Sequence, residues 1–305
     1  MSKIMSKGTM ILVLSISLAF PSILSASGSA STACQTKYPI VLAHGMASQA
    51  KILGIINYWA DIPEEMVENG ADVYITSVNA MDSTENKAAD WKRQVLEILA
   101  VTGKDKVNVI GHSHGALYTR YAITNLGLGS KIASHTSIAG PHRGSVVAEM
   151  VLGIIPNSME PLVGDLLNMV MSFVMGDVNG DTVSNGYDLV RDYMIHTFNP
   201  NTPNVSGVYY QSYAYKVKNI IGGGLFSATW LAMIPFEGAN DGLVSIESAK
   251  WGNFKGVIEG SSLGGGVNHL AAIGLFSGLL YSPTAGYDAP DFFANIASDL
   301  KTRGM

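Results

Sequence analysis

Lys106-Val-Asn-Val-Ile-Gly-His-Ser-His-Gly115 is the stretch that decides the fold. An apolar run from Val107 to Ile110 ends at Gly111, a serine follows between two histidines, and Gly115 opens a helix-compatible run from Ala116 to Leu126. Gly111-His-Ser113-His-Gly115 thus fits G-x-S-x-G, whose small flanking residues permit a sharp strand-to-helix turn that lifts the serine hydroxyl above a sheet. The pattern is short, and Gly260-Ser-Ser262-Leu-Gly264 fits it as well. That second match runs into Gly265-Gly266, which starts a helix poorly, and no acid lies between it and the last histidine, so Ser262 reads as loop.

Working outward, Tyr38-Pro-Ile-Val-Leu-Ala-His44 before Gly45 reads as a strand buried on both faces. Asp61 to Asn69 predicts a helix closed by Gly70, Asp72 to Val78 a strand, and Trp91, Val95, Ile98 and Leu99 one face of a helix stopped by Gly103. Ser130 to Ile138 returns as a strand, and Leu270 to Leu280 and Asp291 to Lys301 read as closing helices. The β-α-β rhythm predicts an α/β fold with a mostly parallel central sheet flanked by helices. Combined with the serine turn, it points to the α/β-hydrolase fold.

That fold orders its triad as serine, acid, histidine, so the base must come late. Of seven histidines (His44, His112, His114, His135, His142, His196 and His269), His269 alone lies in the last third of the chain. The acid belongs on a loop upstream of it. Gly238-Ala-Asn-Asp241-Gly-Leu-Val244 places Asp241 between turn formers before an apolar run, with Glu237 as the alternative carboxylate and an ordinary Asn-Asp-Gly turn as the plain reading. The developing oxyanion needs two backbone N–H donors: His114, directly after the serine, gives one, and the loop His44-Gly45-Met46 gives the other. His44, far ahead of the nucleophile, reads as a structural hydrogen-bonding residue.

Met1 to Phe20 starts with Lys3 and Lys7, continues through an apolar run to Phe20, and leads to small residues between Ser25 and Ala33. This is a signal-peptide layout over 1–33, with cleavage within 26–33 and export as the expected localisation. The run is shorter than the ~20 residues needed to span a bilayer and Pro21 interrupts its end, which argues against the alternative of an N-terminal membrane anchor; no integral segment is expected in the mature chain. Residues 34–305 then form one domain, and the chain shows no repeat or linker. Cys34 is the only cysteine, so no internal disulfide can form, and Ser31 stands where lipoprotein signals usually carry leucine. Charged residues make up 14% and the net charge is −5, which argues against nucleic-acid partners. From Val146 to Gly176, Leu162, Leu166, Met169, Val170 and Phe173 share one helical face opposite Asp165, Asn168 and Ser172, an amphipathic rather than spanning pattern.

Tyr38-Pro-Ile-Val-Leu-Ala-His-Gly-Met46, Tyr58-Trp, Gly70-Ala-Asp-Val-Tyr-Ile-Thr76, Lys106 to Gly115, Ala139-Gly-Pro-His-Arg-Gly-Ser145 and Asn240-Asp-Gly-Leu-Val-Ser245 together resemble the Pseudomonas and Burkholderia type of true lipases. The similarity runs from about Tyr38 to the helix after His269. It implies hydrolysis of triacylglycerol at an oil-water surface and a helical lid, here within about 146–175. It also implies Ser113, Asp241 and His269 as triad, the amides of Met46 and His114 as oxyanion hole, and no catalytic cofactor. The segment before Asp241 is shorter than in that family, and three single positions depart from it. Ala271 replaces the aspartate and Leu275 the glutamine of the family's structural calcium site, and Glu247 stands where one cysteine of its disulfide would be. The resemblance does not say whether a folding chaperone is needed. Separately, Asp177, Asn179, Asp181, Asn185 and Asp188 have the spacing of a calcium loop, but Thr182 replaces the glycine of its sharp turn, which favours a plain polar turn. The expected function is a secreted serine ester hydrolase acting on lipid esters. A carboxylesterase for short soluble esters and an inactive α/β-hydrolase-fold binding protein are the alternatives.

Overall fold

The computed structural model describes residues 22–24, 31–46, 51–52, 56–79, 82–155, 186–275 and 286–305. The central sheet contains β1 (Ser22–Leu24), β2 (Ile40–Ala43), β3 (Val73–Thr76), β4 (Val107–His112), β5 (Ile132–Ile138), β6 (Tyr209–Tyr215) and β7 (Asn253–Ile258). They lie in the order β1-β3-β2-β4-β5-β6-β7, all parallel except β1, which pairs antiparallel with β3 at the edge. β1 falls inside the stretch read as an export signal, so cleavage within 26–33 would leave β3 as the edge strand.

Both faces of this sheet are covered, which is why β2 and β4 carry almost unbroken apolar runs. Strand alternation divides them: Ile40, Leu42 and Ile110 face one core cluster, and Val41, Ala43, Val107 and Val109 face the other. The first cluster is closed by α1 (Ile62–Glu68) and the C-terminal helix Ala289–Thr302, with Trp59 edge-on to Phe293. The second is closed by α2 (Thr84–Thr102) and α3 (Gly115–Asn125), which contribute Trp91, Val95, Tyr118 and Ile123. Ser83 caps α2 by accepting the Asn86 N–H at 3.3 Å, and Gly103 ends it in the left-handed region at φ 66°.

Two further helices lie beside the carboxyl ends of the strands: α4 (Val146–Val151) and α5 (Ser227–Glu237), which pack through Val146, Val147 and Met150 against Ala232 and Met233. Of the amphipathic region expected to hold a lid, only 146–155 is described; 156–175 lies outside the described residues, as do Asp177, Asn179, Asp181 and Asn185. Asp188 is described, and its Oδ2 accepts the Thr84 N–H at 2.8 Å in the first turn of α2. Cys34 is buried in the first core cluster, its thiol donating to the Ala294 carbonyl at 3.3 Å.

One expectation needs correcting. The helix predicted from Leu270 to Leu280 is, over its described part, a single 3-10 turn, Ala271–Ile273, stopped by Gly274 in the left-handed region at φ 74°; residues 276–280 lie outside the described set. By length and composition, Ile220–Glu237 is apolar enough to cross a membrane. It is not one straight helix, however. A short turn, Ile220–Gly223, and a 3-10 turn, Gly224–Phe226, precede α5, and Phe226, Thr229, Ala232 and Met233 are buried against the domain.

Candidate active site

The turn after β4 is built by sterics. Ser113 has φ 56°, a left-handed value that a side chain tolerates only when its surroundings enforce it. A Cβ on Gly115 would sit 2.2 Å from the Ala43 carbonyl oxygen, and one on Gly111 2.8 Å from the Ala116 nitrogen, so both glycines permit the close crossing of β4, α3 and the end of β2. The Ser113 N–H donates to the Ile138 carbonyl at 2.9 Å and pins the turn to β5. His112 and His114 point into the core while Ser113 stays partly exposed, placed at the N-terminus of α3, where the helix dipole favours negative charge.

Asp241 and His269 are both buried, and Oδ2 of the carboxylate accepts the Nδ1–H of the imidazole at 2.8 Å. The other oxygen, Oδ1, accepts the N–H groups of Leu243 at 2.9 Å and Val244 at 2.8 Å, which fixes the plane of the carboxylate. Asn240 shapes the turn before it: its Oδ1 accepts the Gly242 N–H, and its amide donates to the carbonyls of Trp230 and Gly238. A backbone bond from the His269 N–H to the Asp241 carbonyl at 3.0 Å ties the two loops a second time. Phe226 meets the His269 ring edge-on, and Asn268 donates to the carbonyls of Gly222 and Gly223, so the segment leading into α5 borders the imidazole. The His269 ring centroid lies 4.7 Å from that of His112, the residue before the serine.

The loop after β2 is held on every side. The His44 ring donates from Nδ1 to the Gly45 carbonyl at 2.9 Å and accepts the Val78 N–H at Nε2 at 3.1 Å; Tyr118 donates its hydroxyl to the His44 carbonyl. Burial pushes His44 down to about 4, which keeps it the neutral, structural histidine that its place in the chain suggested. The Gly45 N–H is committed to the Tyr58 hydroxyl at 2.9 Å, so Met46 carries the next donor along the loop. Among the described residues, no acceptor pairs with the backbone N–H of Met46 or of His114. The His114 ring is fixed from behind: Lys87 donates to its Nδ1 at 3.1 Å, and its Nε2–H donates to Thr84 Oγ1 at 2.8 Å. Burial holds this imidazole well below the usual histidine range, with the Lys87 charge pushing the same way.

The structure therefore brings Ser113, His269 and Asp241 to one end of the sheet, together with the backbone of His114 and the loop carrying Met46. It separates Glu237 from them. That carboxylate lies 3.8 Å from Arg191, which also holds Glu149, and it does not reach His269. Ser262 sits in a loop with no helix behind it, as its glycine-rich sequel indicated. Two features escaped sequence reading: the Tyr58–His112 hydrogen bond and the Phe226 segment. Tyr58 and His112 both lie in the motifs quoted above, but nothing in the sequence linked one to the other. Among the described residues, no cluster of three His, Cys, Asp or Glu side chains could hold a metal ion. Ala271, where the lipase resemblance implies a calcium-binding aspartate, is buried among apolar residues.

Comparison with known proteins places the chain beside several curated triacylglycerol lipases. Residues 39–187 match the family described as palmitoyl protein thioesterase. The chain is 44% identical over 123 residues to a triacylglycerol lipase of Vibrio cholerae, covering 40% of this chain and 38% of that one. It is 32% identical over 170 residues to a triacylglycerol lipase of Burkholderia plantarii, covering 55% and 46%. It is 30% identical over 272 residues to triacylglycerol lipase 2 of Saccharomyces cerevisiae, covering 82% and 75%. The chain thus spans less than half the length of the first two relatives. Among solved structures, it resembles a metagenomic carboxyl esterase at TM-score 0.67 and 18% identity, covering 94% of this chain and 80% of that one. It also resembles the mature Bacillus licheniformis lipase BlEst2 at TM-score 0.62 and 19% identity, covering 86% and 92%. Both similarities concern the fold.

Proposed function

Because the chain belongs to the triacylglycerol lipase family and has the α/β-hydrolase fold, we propose that it is a secreted serine ester hydrolase that cleaves long-chain lipid esters at an interface. The observation that carries this reading is the buried Asp241–His269 hydrogen bond beside the strained Ser113 turn. The reaction runs in two halves. Ser113 Oγ attacks the ester carbonyl while His269 Nε2 takes its proton, and Asp241 stabilises the imidazolium through Nδ1. The negative charge that develops on the carbonyl oxygen is received by the N–H groups of Met46 and His114, aided by the N-terminus of α3. His269 then protonates the departing alcohol and leaves an acyl group on Ser113. Water, deprotonated by His269, attacks that ester and releases the fatty acid. This chemistry calls for no cofactor.

Support for an interfacial substrate comes from the surface beside His269. Ile220, Ile221, Leu225, Leu231, Ile234 and Phe236 are exposed along the segment whose Phe226 borders the imidazole, with Ile221 72% and Ile220 58% accessible. An apolar surface of this kind at the mouth of a site suits contact with lipid. The lid is assigned to 146–175, and the basic-then-apolar stretch at residues 1–33 is assigned to export.

The test compares emulsified long-chain triacylglycerol with a soluble short-chain ester, using Ser113→Ala as control. Hydrolysis of the emulsion that disappears in the variant supports the proposal. Activity confined to the soluble ester would make the protein a carboxylesterase, and no Ser113-dependent activity on either would refute the enzymatic reading.

A further inference from the structure

We propose that Tyr58 and His112 form a positioning relay that holds the oxyanion loop and the His269 imidazole in register across the serine turn; this inference rests on the ester-hydrolase reading above. The Gly45 N–H donates to Tyr58 Oη at 2.9 Å, Tyr58 Oη lies 2.5 Å from His112 Nδ1, and His112 Nε2 lies 3.1 Å from the His269 carbonyl oxygen. All four residues are buried.

The direction of the bonds follows from the carbonyl end of the chain together with a neutral His112. A backbone N–H can only donate, so Tyr58 Oη accepts from Gly45. A carbonyl can only accept, so His112 Nε2 carries a proton and donates it to His269. His112 Nδ1 is then bare and receives the Tyr58 hydroxyl. One neutral tautomer satisfies both ends at once. Burial favours that neutral state by pushing His112 well below the usual histidine range, and the neighbouring His269 pushes it the same way. The plain alternative, two polar side chains satisfied in a core, does not require the chain to end on these two loops. Yet one end holds the amide before Met46, and the other holds the backbone of the base.

The consequence is geometric. The Met46 donor and the imidazole approach the substrate from different loops, after β2 and after β7, and Ser113, with the His114 donor directly after it, stands between them. The Asp241–His269 bond orients the imidazole from one side; His112 fixes its backbone from the other. Tyr58 and His112 touch no reacting atom in this scheme and act through Gly45 and His269.

The test uses the full chain, with Tyr58→Phe, His112→Asn and the double variant assayed on a soluble ester. The expected result is a loss of about tenfold in kcat with KM within about twofold for each single variant, and no further loss in the double, because the relay is cut once. Losses that multiply to about a hundredfold in the double, or that appear in KM or thermal stability alone, would overturn the proposal. A second readout needs no turnover: nitrogen-15 NMR of wild-type protein at pH 7 should show His112 bare at Nδ1 and protonated at Nε2. An imidazolium or a proton on Nδ1 would overturn the relay regardless of activity. Failure of the hydrolase reading shows separately, as wild-type activity that survives Ser113→Ala.

Discussion

Asp241→Asn is the substitution whose outcome the structure constrains most tightly. An asparagine has one oxygen where aspartate has two, and the surroundings decide which way it turns. Oδ1 of Asp241 accepts two backbone N–H groups, from Leu243 and Val244, while Oδ2 accepts one, from His269. Turning the amide oxygen toward His269 would set the NH2 group against two N–H donors in a buried site, so the oxygen stays with the loop and the NH2 faces Nδ1. An NH2 group cannot accept from Nδ1–H; His269 must take the other tautomer, with its proton on Nε2, where it cannot accept the Ser113 proton. A wrong tautomer with intact geometry costs about ten-thousandfold in kcat, which is about 5.4 kcal/mol of barrier. The loop hydrogen bonds survive, so thermal stability should change little. The assay is steady-state kinetics on a soluble chromogenic ester at pH 7, with the melting temperature measured alongside. A variant that keeps more than about a tenth of wild-type kcat would refute the tautomer argument, since even one lost oxyanion donor typically costs about a hundredfold or more.

Three further outcomes follow from other parts of the molecule. Gly115→Ala puts a Cβ 2.2 Å from the Ala43 carbonyl oxygen, so it should destabilise the fold by about 3 kcal/mol and lower activity sharply; a melting temperature equal to wild type would show that the crossing of β2 and α3 can relax. Glu237 is raised to about 7, chiefly by burial, which outweighs the opposing charge of Arg191. Its contribution to stability is complete below the ordinary carboxylate value and is lost as pH rises through about 7. Chemical denaturation of Glu237→Gln and wild type should therefore diverge by about 3 kcal/mol between pH 4.5 and 8, in favour of the variant at the alkaline end, and parallel curves would contradict the assignment. Ile221→Asp, on the exposed apolar segment, should reduce hydrolysis of an emulsion about tenfold more than hydrolysis of a soluble ester; equal losses on both would remove this surface from lipid contact.

Much of the site could be read in the sequence because it depends on ordering and sterics that leave marks on single residues. Gly111 and Gly115 flank Ser113 because nothing larger fits the crossing. The seven histidines reduce to one candidate base once the chain order is imposed, and the structure pairs that histidine with Asp241. The parts that stayed hidden have physical reasons. β6, with the sequence Tyr209-Tyr-Gln-Ser-Tyr-Ala-Tyr215, buries Gln211 and Ser212, whose hydrogen bonds to Thr136 and to the Trp251 backbone are invisible without the fold. β7 is the strand at the opposite edge from β1, partly exposed and interrupted by Gly256, so it has neither a clean alternation nor a continuous apolar run. α5 contains Pro235 and is apolar on nearly every side, because one face packs on α4 while the other is exposed; it shows no helical period. The helix expected after His269 stops early because Gly274 turns left-handed, and a glycine inside an apolar run gives no warning of that. Tyr58 and His112 lie 54 residues apart, and no periodicity links them.

The central claim is that Ser113 is an activated nucleophile, and covalent labelling tests it most directly. Wild-type protein treated with a fluorophosphonate, digested and analysed by mass spectrometry should carry the label on the peptide containing Ser113. Labelling should disappear in Ser113→Ala, drop steeply in His269→Ala, and persist in Ser262→Ala. A label on Ser262, or labelling of Ser113 at the same rate with and without His269, would contradict the account.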